Sequence, residues 1–199
     1  MLVPGQVADD WAVILGSASP ATEKLNVNAL LLAEARRRNK EAFVIFKPHP
    51  DVEKLGRRGG LSREQERRDA DRIVRSASME PLLAAVTRVE TFTSLAGFEA
   101  LLRGVPVTTH GLPFYAGWGL TEDLQSSPRR GRKRSLDELA AAALLLYPRY
   151  WDPVSGLPCP AEVALDRLAE LRIEAPTWKA AAATLAGRAV IAWRKLASR

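Results

Sequence analysis

Glu90–Asp123, ETFTSLAGFEALLRGVPVTTHGLPFYAGWGLTED, decides how the rest of the chain is read. It opens within a short β-type run, Val89–Phe92. A Thr-Ser pair then meets an apolar pattern of helical period from Leu95 to Leu102. Gly104 stops that helix, and Val105–Thr109 has the composition of the next strand. Strand, hydroxyl-rich turn, helix, glycine, strand is a βαβ unit, and it predicts an α/β fold with a mostly parallel sheet in three layers. The turn is the expected ligand position, because the carboxyl end of a strand there meets the free N–H groups of a helix N-terminus. Thr91, Thr93 and Ser94 bring hydroxyls to it, and Gly97 admits a close neighbour, whether backbone or ligand. Glu99 is a lone carboxylate one turn into an otherwise apolar helix. The second half, Gly111–Thr121, holds Phe114, Tyr115 and Trp118 among three glycines and a proline. Two readings fit it: a rigid structural loop, or a wall of a ligand cleft beside the Ser94 turn.

The 199 residues suffice for a domain with a good core, and 47% hydrophobic with 26% charged residues is ordinary for a soluble protein. There is no run of about twenty apolar residues, so no transmembrane helix is expected. The start, MLVPGQVADDW, lacks the apolar centre of a secretory signal. The single cysteine, Cys159, fits a reducing compartment. A net charge of +6 and a pI near 9.8 suit nucleotides, anionic lipid and nucleic acid equally.

Leu2-Val3-Pro4 is the end of a strand, and Gly5–Asp10 is the polar loop after it. Such loops carry catalytic groups in α/β proteins, although on spacing alone this one is a solvated acidic turn. A helix capped by Thr22 or Asn26 is predicted to about Arg38, with Leu25, Ala29, Leu32, Ala33 and Ala35 as its apolar stripe. Phe43–Phe46 is a buried strand. Lys47-Pro48-His49-Pro50 leaves it, and two prolines stiffen the backbone and aim the His49 ring beside Lys47, which suggests an anion site. Residues 61–76 predict an exposed helix and a polar loop, and a short helix follows over Leu82–Val86. Arg129, Arg130, Arg132, Lys133 and Arg134 form the densest basic cluster. Without interleaved aromatics it does not suit single-stranded nucleic acid. Ser135 with Glu138 has the capping-box spacing for a helix to Leu146, and Tyr147–Pro153 ends it with aromatics expected to pack on the core. Amphipathic helices are predicted over Pro160–Leu171 and Thr177–Arg199. Two well-separated histidines and one cysteine make no metal-ligand set, so no metal and no cofactor is expected.

TSLAGFEALLRG, GLPFYAGWGLTED, KPHPDV and the YPRY…DP segment together resemble the capsule polysaccharide β-Kdo transferases of the KpsC/LipA type, from Leu2 to about Leu171. The resemblance implies the C-terminal, nucleotide-binding lobe of a GT-B-like glycosyltransferase, Rossmann-like, over residues 1–153, with C-terminal helices packing on it over 154–199. It implies retaining transfer of Kdo from CMP-Kdo onto a lipid-linked, phosphatidylglycerol-type acceptor, in the cytoplasm at or near the inner membrane surface. On the family's pattern Gln6 and Asp10 mark the catalytic loop, with Asp10 the nucleophile. Trp11 and Ala12 depart from the small residue and serine usual after that aspartate. His49 and Pro50 contact the CMP, and Lys47 faces the donor's phosphate or carboxylate. Thr93, Ser94 and Gly97 form the phosphate turn, and Glu99 accepts the ribose hydroxyls. Tyr115, Gly117, Trp118 and Arg130 belong to the substrate side of the aromatic loop and the basic element after it. Because a GT-B enzyme needs two lobes, the chain is expected to be a fragment or one part of a split enzyme. Its expected partners are a missing N-terminal lobe or companion transferase domain, and no nucleic acid. The rival readings are a non-catalytic CMP-sugar or anionic-lipid binding module and a basic nucleic-acid-binding domain.

Overall fold

The computed structural model describes residues 1–17 and 26–174. Thr22 as a cap, Leu25 and the helix predicted over Thr177–Arg199 lie outside those residues. The chain divides into two compact units, Met1–Leu136 and Asp137–Arg199. The division therefore precedes the point after residue 153 taken from the sequence.

The first unit is built on a six-stranded sheet. Its strands are β1 (Leu2–Pro4), β2 (Ile45–Lys47), β3 (Arg72–Ile73), β4 (Val89–Thr91), β5 (Val107–Thr109) and β6 (Glu122–Asp123). Their order is β3-β2-β1-β4-β5-β6 and every pairing is parallel. The chain winds one way from β1 to β3 and the other way from β4 to β6. With right-handed crossovers the two sets of helices fall on opposite faces. The strand order reverses between β1 and β4, and a Rossmann-like sheet opens its crevice beyond the carboxyl ends at that reversal. Leu2, Val3 and Val89 are fully buried, as central strands covered on both faces require.

The helices are α1 (Trp11–Leu15), α2 (Val27–Arg38), α3 (Pro50–Leu55), α4 (Arg63–Asp69), α5 (Met79–Ala85) and α6 (Leu95–Leu101). Asn26 caps α2, accepting the Asn28 N–H at 3.1 Å. Val27, Leu31, Leu32 and Ala35 make its buried face against Val3, Val44, Phe46 and Phe92. Arg36–Arg38 end the helix, where cations suit its dipole. Ser62 and Gln65 close a reciprocal capping box on α4. Gly104, at φ +70°, turns the chain from α6 toward β5.

Two segments differ from their sequence reading. The second strand begins at Ile45 and Phe43 is 61% exposed, because Val44 is occupied by the lead-in to β3: its N–H donates to Asp71 Oδ2 at 2.7 Å. The polar loop within 61–76 contains β3, a two-residue edge strand. His110 is structural. Its Nε2 lies 2.7 Å from Oε2 of the fully buried Glu90, whose Oε1 accepts from Asn39 Nδ2 at 2.5 Å.

In the second unit, α7 (Leu136–Ala141) passes into a π-helical turn, Ala142–Leu146, where the Tyr147 N–H donates to Ala142 O at 3.0 Å. A hairpin of β7 (Tyr150–Trp151) and β8 (Pro158–Cys159) follows, then α8 (Ala161–Glu174). Tyr147 is 89% exposed and Trp151 58% exposed, so these aromatics are not packed away as expected.

Candidate functional site

A cleft of about 760 Å³ opens over the carboxyl ends of β1, β2, β3 and β4. Its floor is Gly5 and the Lys47–Pro50 segment, one wall is the Ser94–Ala96 turn with Glu99, and the opposite wall is Arg75–Met79. Gly5 is small because the chain ends crowd there. A Cβ would sit 3.2 Å from the His49 nitrogen, the Lys47 oxygen and the Phe46 ring. Its N–H donates to Lys47 O at 2.8 Å, which holds β1 and β2 together to the edge of the cleft.

Lys47 is 8% exposed and borders the cleft, and its side chain makes no hydrogen bond or ion pair among the described residues. The aliphatic stem is buried and the ammonium opens on the cleft with no counter-charge among the described residues, a place that suits an anion. His49 stands beside it as the N-cap of α3, with Pro50 at the first helical position. Its Nδ1 accepts the Asp51 N–H at 3.1 Å. The neutral ring therefore carries its proton on Nε2, which is left as a donor. Ser94 caps α6, its Oγ accepting the Ala96 N–H at 3.2 Å, and its hydroxyl proton remains for a ligand. Glu99 is a half-buried carboxylate on the cleft with no side-chain partner among the described residues.

Gln6 and Thr93 are engaged with each other across the strand reversal. Gln6 Nε2 donates to Thr93 Oγ1 at 2.9 Å and the Thr93 N–H donates to Gln6 Oε1 at 2.9 Å. The Gln6 backbone is held as firmly: its N–H donates to Asn28 Oδ1 at 2.9 Å and its carbonyl accepts from Asn28 Nδ2 at 2.7 Å. Neither residue lines the cleft. The first-turn N–H groups of α6 are also largely taken. Ser94 N–H donates to Thr91 Oγ1 at 3.2 Å and Gly97 N–H to Ser94 O at 3.0 Å. The turn is thus a rigid wall, and the charge that attracts an anion comes from Lys47.

Asp10 is exposed and caps α1, with Oδ1 accepting the Ala12 N–H at 2.8 Å. It lies on the loop that leaves Gly5 and is outside the cleft lining. Gly97 has a structural reason to be glycine: a Cβ there would fall 2.2 Å from Tyr115 Oη. Tyr115 is fully buried, its hydroxyl donates to Ser94 O at 2.5 Å, and burial pushes its pKa well up. The aromatic loop therefore braces the Ser94 turn from behind. Gly117 (φ +79°) donates to Asp123 Oδ2 at 2.9 Å, and Trp118 Nε1 donates to Phe114 O at 2.7 Å. Arg130 reaches back to Pro113 O and Ala116 O. Of the residues singled out from the sequence, Lys47, His49, Pro50, Ser94 and Glu99 meet in the cleft. Gln6, Asp10, Thr93, Gly97, Tyr115, Gly117, Trp118 and Arg130 do not line it.

A family model described as "Capsule polysaccharide biosynthesis protein" matches residues 1–150. The chain belongs to that family. It is 45% identical over 164 residues to the capsule polysaccharide modification protein LipA of Neisseria meningitidis serogroup B, an overlap of 82% of this chain and 23% of LipA. It is 47% identical over 155 residues to the lipopolysaccharide-processing protein LpsZ of Rhizobium meliloti, 75% of this chain and 33% of LpsZ. Among solved structures it is similar to Thermosulfurimonas dismutans KpsC, beta Kdo 2,7 transferase, with TM-score 0.75 and 40% identity, over 86% of this chain and 54% of that one. The beta Kdo 2,4 transferase of the same KpsC gives TM-score 0.69 and 35% identity, over 84% and 50%. The chain thus spans a quarter to a third of these curated family members and about half of the solved chains.

The Arg75–Met79 wall was not foreseen. Arg75 Nε donates to Glu53 Oε2 at 2.8 Å and its Nη2 to Glu66 at 2.6 Å, binding α3 and α4 to the end of β3. The available signal was Ile73-Val74, an apolar pair between arginines followed by Ser-Ala-Ser. That is a strand end with a hydroxyl-rich turn, the same grammar as Thr91–Ser94.

Proposed function

We propose that this chain supplies the nucleotide-sugar lobe of a retaining glycosyltransferase that moves Kdo from CMP-Kdo to a lipid-linked Kdo acceptor in capsule assembly. The observation that carries this reading is Lys47, whose ammonium has no partner among the described residues and opens on the same cleft as the His49 ring. A CMP-sugar of this class is doubly anionic, with a phosphodiester and a sugar carboxylate. Lys47 and the Nε2–H of His49 hold the phosphate, and the Ser94 hydroxyl adds a neutral donor. Glu99, on the same wall, accepts the ribose hydroxyls. Fixed donors in a partly dry site need no reorganisation as charge builds on the departing phosphate. The names of the solved relatives, both Kdo transferases, support the choice of sugar.

Asp10 is the nucleophile. One carboxylate oxygen holds the α1 cap and the other is free to attack the anomeric carbon of the sugar as it projects past Gly5. The carbon–oxygen bond to CMP breaks and CMP leaves with the electron pair. The acceptor hydroxyl then displaces Asp10 and loses its proton, and two inversions give net retention. Gln6 is a positioning residue: it ties the loop that carries Asp10 to the Ser94 turn. Tyr115 and Gly97 keep that turn in place from behind. The acceptor-bearing lobe and the membrane-proximal setting belong to this proposal too.

The test is intact-mass spectrometry after incubation with CMP-Kdo. The wild-type chain is expected to gain the mass of one Kdo on the peptide holding Asp10, and Asp10→Ala is expected to gain none. An unmodified wild-type chain that still binds CMP contradicts the assignment of the nucleophile.

A further inference from the structure

Residues 124–136, LQSSPRRGRKRSL, hold five cations and no carboxylate. Arg130 is consumed by the fold. Its Nη1 donates to Pro113 O and Ala116 O, and its guanidinium carbon lies 5.8 Å from the centroid of the Trp118 ring. Burial and the neighbouring charge of Arg129 lower its pKa, with Asp123 acting in the opposite sense. The segment is pinned again where the Arg134 N–H donates to Trp118 O at 2.9 Å. Two anchors leave the intervening residues arched over Trp118, and a groove of about 530 Å³ lies there, lined by Trp118, Arg129, Gly131, Arg132 and Arg134. Arg129 and Arg132 make no ion pair or hydrogen bond among the described residues. The groove follows β6, with β5 leading into the loop that carries Trp118. The Gly117 N–H reaches Asp123, the last residue of β6, which sets the Trp118 loop at the carboxyl ends of β5 and β6.

We propose that this groove is a second recognition site, for the carboxylate of an acidic sugar on the acceptor side of the reaction. The proposal rests on the transferase reading of the cleft and adds a subsite to it. Arginine forks match a carboxylate in paired hydrogen bonds, and an indole offers an apolar face for the C–H side of a sugar ring. A concave site of this size takes one or two sugar residues. Arg129, Arg132 and Arg134 are exposed, so an anionic bilayer is the competing occupant that the vesicle measurement separates. Like charges held this close repel one another, so the fixed arch over Trp118 has an energetic cost that an anionic ligand relieves.

The indole N–H of Trp118 is a resonance inside the proposed site, assigned by its loss in Trp118→Phe. Free Kdo would be titrated into the isotope-labelled chain with the cleft saturated by CMP. Its methyl ester, inorganic phosphate and maltose would be titrated in parallel. Binding of the chain to phosphatidylglycerol vesicles would be measured alongside. Free Kdo is expected to move the Trp118 signal saturably, with a midpoint about 10-fold or more higher in Arg129→Ala/Arg132→Ala. The methyl ester and maltose are expected to leave the signal in place. No movement with Kdo, an equal response to the ester, or an equal response to phosphate overturns the proposal. Vesicle binding that is lost in the double variant while Kdo leaves Trp118 unmoved assigns the groove to the membrane and also overturns it. CMP binding by the double variant is measured in the same samples. If it persists, failure at Trp118 counts against the groove alone. If the wild type binds no CMP either, the reading of the cleft fails on its own evidence.

Discussion

Gln6 is 6% exposed, and its amide makes both of its hydrogen bonds to Thr93 across the boundary between β1 and β4. Gln6→Ala is therefore expected to lower stability by about 1–3 kcal/mol, since it leaves the Thr93 N–H buried without an acceptor. Urea unfolding checks this, and an unchanged midpoint would refute the tie. Lys47 presents the opposite case. Its ammonium has no partner among the described residues while its stem is buried, so Lys47→Met is expected to leave the unfolding midpoint unchanged or to raise it. A drop of more than about 1 kcal/mol would mean that Lys47 stabilises the fold. At this scale the sequence was informative where chemistry is local. Pro48 and Pro50 aim His49 with no help from distant residues, and His49 is in the cleft. The partnership of Gln6 with Thr93 was not legible, because it joins residues 87 apart and exists only once the sheet has formed.

At the scale of elements, α6 and the aromatic loop depend on each other through Gly97. Glycine inside an exposed helix is usually improved by alanine, by up to about 1 kcal/mol. Here a Cβ would lie 2.2 Å from Tyr115 Oη and 2.7 Å from its Cζ, so the sign reverses. Gly97→Ala is expected to cost about 1–3 kcal/mol and to release Tyr115 from Ser94 O. Equilibrium denaturation measures the first effect. The ultraviolet titration of tyrosine reports the second, because the raised pKa of Tyr115 would fall back toward the ordinary phenol value. The helices α2 and α6 and the strands β1, β4 and β5 were legible because each carries an apolar run or stripe with clear stops. Strands β3 and β6 hold two residues each, too few to show a period, and they sit at the sheet edges with charged side chains. Missing β3 hid the Arg75–Met79 wall. The density of glycine and aromatics in Gly111–Thr121 showed a constrained loop, but not that the loop supports the cleft from behind.

For the whole molecule, acid lability follows from carboxylates that tie edge segments to the sheet. The Asp71 carboxyl is held below its usual range by the Val44 N–H first and by Arg36 second. Glu122 is lowered by the Thr108 hydroxyl and then by Arg38, against the opposing effect of burial. A folded pKa below the unfolded value means that the stabilisation is complete above the unfolded pKa, about 4, and is lost as pH falls through the folded one. The urea midpoint is expected to hold from about pH 6 to about pH 5 and then to fall, less steeply in Asp71→Asn. A midpoint that rises on acidification would contradict this. The strand order β3-β2-β1-β4-β5-β6 places the cleft and the Asp10 loop beyond the carboxyl ends of the strands, and the Gly117–Asp123 contact brings the loop bordering the arginine groove to the end of β6. A nucleotide at the reversal point and a sugar beyond it can then be served by separate loops.

The account stands or falls on whether the cleft takes a cytidine monophosphate through Lys47. The direct measurement is a thermal-unfolding titration of the chain with CMP, made in parallel on Lys47→Met, His49→Ala and Asp10→Ala. A ligand that binds only the folded state raises the midpoint in proportion to the logarithm of its concentration above Kd. CMP is expected to raise the midpoint of the wild type and of Asp10→Ala alike, to do so weakly in His49→Ala, and to leave Lys47→Met unmoved. A folded wild-type chain whose midpoint stays fixed at millimolar CMP, or a Lys47→Met variant that shifts as far as the wild type, would contradict it.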